Sequence, residues 1–70
     1  MNITELFIKS NEEDIDIRIT CGNRWMVMDD TTHELIVYEK RYYQRNTYLI
    51  CQTQDEDLAY KFLTTNLTNF

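Results

Sequence analysis

The side chains able to do chemistry are few and widely spaced. Two cysteines, Cys21 and Cys51, and a single histidine, His33, are the whole complement of thiol and imidazole groups in 70 residues. The cysteines stand thirty positions apart, so no paired ligand spacing exists and no structural zinc site is expected. His33 is the one side chain whose ordinary titration lies near neutrality, and Asp29, Asp30 and Glu34 surround it in sequence, the pieces of a His–carboxylate pair. A covalent step would need Cys21 or Cys51 as nucleophile, yet both fall in alternating runs that turn them toward a core, where buried, reduced thiols are expected. One glycine and no proline exclude a glycine-rich phosphate cradle, and Gly22 lacks the Asp/Asn frame of an EF-hand loop. No enzyme and no cofactor is expected.

Recognition chemistry is better represented. Twelve acidic against seven basic side chains give a net charge of -5. The excess is uneven: residues 38–52 hold Glu39 against Lys40, Arg41 and Arg45, a local +2, and the rest of the chain carries -7. Four of the five tyrosines, Tyr38, Tyr42, Tyr43 and Tyr48, lie in that basic stretch. Tyrosine offers large rigid area at low entropic cost and arginine makes planar bidentate contacts, so Arg41, Tyr42, Tyr43 and Arg45 are candidate partner-binding residues. The plainer reading is a solvated connection whose rings cover one side of a sheet.

Such an island could also bind single-stranded nucleic acid over residues 40–48, with bases stacked on tyrosine and phosphates met by arginine. Three cations are few, and the remaining -7 repels a polyanion, so nucleic acid is the alternative rather than the expectation. The acids offer a second surface. Glu12-Glu13-Asp14, Asp29-Asp30 and Asp55-Glu56-Asp57 can steer a basic protein surface into contact, and Asp29 and Asp30 are taken as candidate partner-binding residues. Ordinary acidic turns and a helix start explain the same clusters. In size and charge the chain is similar to small acidic accessory proteins of phages, a likeness that implies binding to and inhibition of a host protein.

These residues must be positioned by few elements, because a chain of this length builds one small core. No linker or repeat divides residues 1–70, so one domain is expected. Residues 3–11 admit two readings. Ile3, Leu6, Phe7 and Ser10 fall on helical spacing with Asn2 and Glu5 as a capping box, and a short helix is favoured over a strand. Ile15, Ile17, Ile19 and Cys21 alternate with Asp16, Arg18 and Thr20. With Arg24 to Met28 they predict a hairpin over 14–29 closed by Gly22-Asn23 in a primed turn. Asp29 to Thr32 predicts a turn and His33 to Glu39 a third strand.

Asn46 to Thr53 is apolar on both faces, which predicts a central or covered strand. Trp25 is expected in the core, and the remaining sheet face lies either under the N-terminal segment or exposed to a partner, a second copy included. The last element is a helix capped by Thr53 with Glu56, whose apolar stripe is Leu58, Ala59, Phe62, Leu63 and Leu67. Together these give an α+β fold, a four-stranded antiparallel meander with the C-terminal helix across one face. No basic leader precedes an apolar run, and no stretch reaches eighteen apolar residues, so a cytoplasmic chain that meets no membrane is expected. The two sequons then have no role.

Overall fold

The computed structural model describes residues 2–41 and 45–65. Helix α1 spans Ile3–Glu12, and Asn2 caps it by accepting the Glu5 amide at 2.8 Å. Its end is a Schellman motif. The Asp14 amide donates to Asn11 O and the Ile15 amide to Ser10 O, with Asp14 in the left-handed region at φ 59°. The helical reading of the N-terminal segment therefore holds.

The chain next runs extended through residues 15–18 and joins the sheet only at β1, Ile19–Cys21. The expected strand from Asp14 is thus shortened to three residues. The left-handed turn at Asp14 starts the chain away from β2 (Arg24–Met28), and Ile15 is left 49% exposed. Between β1 and β2, Gly22 at φ 61° and Asn23 at negative φ form the two-residue turn. Positive φ at the first central position alone is the type II′ pattern.

Strand β3 is Leu35–Lys40, later than the expected start at His33 because His33 itself sits at φ 60°, outside extended geometry. Strand β4 is Thr47–Thr53. All neighbours are antiparallel and the order is β1-β2-β3-β4, so the fold is α+β with one open sheet. Strand β4 is consequently an edge strand. Its expected burial on both sides is corrected by Leu49, which is 57% exposed. One irregularity interrupts the ladder: Val37 faces Cys51 and Tyr38 faces Leu49, leaving Ile50 as an extra residue.

Helix α2 spans Glu56–Thr64 and is capped by Asp55, whose carboxylate accepts the Asp57 and Leu58 amides. The expected cap at Thr53 fails because Thr53 is still paired with Leu35 in the sheet; its hydroxyl instead accepts the Asp55 amide. Met26, Met28, Leu35 and Val37 from the sheet meet Phe7 of α1 and Ala59 and Leu63 of α2 in one core. Both helices therefore cover the same face. The α2 stripe is narrower than expected, with Leu58 41% and Phe62 37% exposed. Leu67 lies outside the described residues.

Candidate protein-binding surface

Residues opposite one another in a ladder share a face of the sheet. Since Met26 pairs with Val37 and Met28 with Leu35 toward the helices, the intervening set points the other way: Trp25, Val27, Ile36, Tyr38 and, across the bulge, Leu49. Neither helix covers that face. Trp25 is thus not a core residue, contrary to expectation. Its ring meets Tyr38 at 5.8 Å between centroids in a tilted pair, and the Arg18 guanidinium lies 5.2 Å over it.

The face has two chemically different ends. At one, Glu34 accepts from Gln52 at 2.9 Å and from the Thr32 hydroxyl at 3.1 Å. At the other, Lys40 exchanges backbone contacts with the β1–β2 turn: its amide donates to Asn23 O at 2.9 Å and its carbonyl accepts from the Asn23 side chain at 3.2 Å. There Gly22, Asn23, Trp25, Lys40 and Arg41 line an open cavity of about 450 Å³. An aromatic wall rimmed by two cations suits an apolar group that carries negative charge.

Beneath this end, on the helix-covered side, three charges are locked together. Glu39 accepts from Arg24 at 2.9 Å and from Arg41 at 2.8 Å, and Arg24 also donates to the Phe62 carbonyl near the end of α2. The Arg41 bond first and the Arg24 bond second hold the Glu39 carboxyl below its ordinary range. The Arg41 guanidinium, raised by the same bond, stacks 4.0 Å over Tyr48. Arg41 is therefore ordered by its own neighbours before any partner arrives.

Of the residues singled out in sequence, Arg41 and Arg45 lie in the β3–β4 connection, Arg45 exposed; Tyr42 and Tyr43 fall outside the described residues. Asp29 and Asp30 have structural work of their own. Asp29 accepts the Thr31 and Thr32 amides at 2.8 and 3.0 Å, and these bonds, Thr32 first, hold its carboxyl below the ordinary aspartate value. Asp30 accepts from Asn11 at 2.8 Å and ties the β2–β3 turn to α1. The carboxylates flanking His33 in sequence thus hydrogen-bond to other groups, and Asp29 feels His33 only as the smallest of the influences that lower it.

Cys21 and Cys51 lie in the two edge strands. Strand spacing places them about 14 Å apart, well beyond disulfide reach. Burial pushes the Cys51 thiol up, which makes it a poor nucleophile. Among the described residues no group of three or more His, Cys, Asp or Glu could hold a metal ion, and no helix is long and apolar enough to cross a membrane.

Sequence reasoning left two alternatives for this face, covered by the N-terminal segment or exposed to a partner, and did not place Trp25, Tyr38, Lys40, Arg18 and Leu49 on it together. The signal was present in the alternation of Arg24 to Met28, which separates Trp25 from both methionines. No protein-family model matches the chain, and neither a curated protein nor a solved structure matches it. The surface is therefore read from its own chemistry.

Proposed function

We propose that this chain is a non-enzymatic protein-binding module of the cytoplasm that acts by occupying a surface of another protein with its open sheet face. One observation carries the reading: both helices pack on one side of the sheet, and the other side presents Trp25, Val27, Tyr38 and Leu49 with cations at one end. Aromatic anchors at the centre and charge at the rim are the composition of a binding hot spot. The complementary partner surface is apolar at its centre and carries carboxylates facing Lys40 and Arg18. An accessory or inhibitory role, of the kind phage-encoded acidic proteins have, fits a module that blocks rather than transforms its target.

The test is capture by the full chain, immobilised, from lysate of its own cells. Trp25→Ala and Lys40→Glu should each lose the captured protein, whereas Asp57→Lys on the opposite face should keep it. Capture unaffected by the first two changes would sink the reading.

A second reading, single-stranded nucleic acid along residues 40–48, draws on the cavity lined by Trp25, Lys40 and Arg41. Against it, Arg18 already lies over the Trp25 ring, and Arg41 is committed to Glu39 and Tyr48. Binding to a random oligonucleotide that collapses between about 50 and 200 mM salt would favour this reading; no binding at low salt removes it.

A further inference from the structure

The two edges of the sheet are guarded unequally. Strand β1 is three residues long and is preceded by Asp14, Asp16 and Arg18, the short charged kind of edge that discourages pairing. Strand β4 is seven residues long and contains no charged residue, no proline and no glycine. No other described strand pairs with its outer side. A long uncharged edge recruits another strand, and the charges at its two ends indicate which one.

The end before β4 is basic, with Arg45 exposed; the end after it is acidic, with Asp55, Glu56 and Asp57 opening α2. A strand laid antiparallel on β4 finds this polarity satisfied when it has the reverse order of charge. A second β4 has that order by symmetry. We infer that the chain forms a two-fold symmetric dimer through antiparallel β4–β4 pairing, joining two sheets into one of eight strands.

The bulge fixes the register. Antiparallel partners must share a face, and the extra residue Ile50 leaves Tyr48 and Thr53 on the helix-covered face but Leu49 and Gln52 on the open face. Matching faces places the two-fold axis between Ile50 and Cys51. Leu49 then faces Gln52 of the second copy and Tyr48 faces its Thr53, which sets the exposed Arg45, just before β4, beside the end of the second β4, where Asp55 and Asp57 open α2. This juxtaposition of charge occurs twice. Both pairs of helices lie on one side of the joined sheet and both open faces on the other, so the dimer does not consume the surface assigned above.

Sedimentation equilibrium of the full chain from micromolar to millimolar concentration tests the inference. The mass should rise from 8.5 kDa toward twice that value. In the double variant Leu49→Lys with Gln52→Lys, lysines meet across the axis and dimerisation should weaken at least tenfold. Arg45→Glu should weaken it as well, and adding Asp57→Arg to that variant should restore it.

Leu49 and Gln52 are exposed, so the lysine variant should melt like the parent chain. As a check that does not depend on any variant, hydrogen exchange of the outward β4 amides should slow as concentration rises. A mass of 8.5 kDa at every concentration overturns the inference. So does a dimer that survives the lysines but is lost with Trp25→Ser, which would place the contact on the open face, or added extended peptide protecting β4 where a second copy does not.

Discussion

Asp14 and His33 hold left-handed backbone, at φ 59° and 60°, a conformation in which any side chain is crowded. The chain has one glycine to spend on such positions, and Gly22 takes the hairpin turn. Asp14→Gly relieves the crowding at the end of α1 and, after the extra unfolded-state entropy of glycine, should stabilise by about 0.5–1 kcal/mol. Thermal melting should register this as a rise of a few degrees; a fall would mean that the Asp14 side chain makes a needed contact.

Glu39 gives the opposite kind of prediction. Its carboxyl titrates below the ordinary value of 4.5, so its contribution is fully present above that pH and is lost as pH falls through the lower folded-state value. Glu39→Gln should therefore be less stable than the parent at neutral pH, with the difference closing in acid. A constant difference down to the lowest pH would contradict the linkage.

At the level of elements, local signals located both helices and all four strands, while their ends followed longer-range competition. Asn2 caps α1 as read, by accepting the Glu5 amide, which is the half of the capping box that the side chain of Asn2 supplies. Thr53 did not cap α2, because the Leu35 ladder claimed it and Asp55 was available two residues on. The strand alternation predicted from Asp14 failed at Ile15, where a Schellman turn set the direction of the chain.

Arg24 joins three elements: it sits in β2, bonds Glu39 of β3 and donates to a carbonyl of α2. Arg24→Ala leaves a carboxylate that is mostly buried with one cation fewer and should cost about 2–3 kcal/mol by chemical denaturation. A loss within 0.5 kcal/mol, roughly that of an ordinary surface change, would show that Arg41 alone satisfies Glu39.

For the whole molecule, the decisive fact is that both helices pack on one sheet face, while on the other only Ile36 of the described residues is buried, among its neighbours in the sheet. Leu63→Ala, at a fully buried α2 position, should cost roughly 2–4 kcal/mol. Leu49→Ser on the open side should stay within about 0.5 kcal/mol. Equal costs would mean that the open face is covered in solution by something that contributes to stability. Composition announced that a chain this short could finish only one core, and the alternation in β2 announced two unlike faces. Which face stayed open was not legible, because the sequence does not say on which side α1 crosses.

The amide of Ile3, at the start of α1, donates to the Glu56 carboxylate at 3.0 Å, across 53 positions of chain. That carboxylate also sits in the first turn of α2, so one negative charge serves the positive ends of two helices. During synthesis α1 leaves the ribosome before the sheet, and its partner charge is made only after the last strand of that sheet. The hairpins can form in order of emergence, but the docked position of α1 waits for the first turn of α2. A nascent chain stalled before Glu56 should thus expose α1 to protease that the released protein resists.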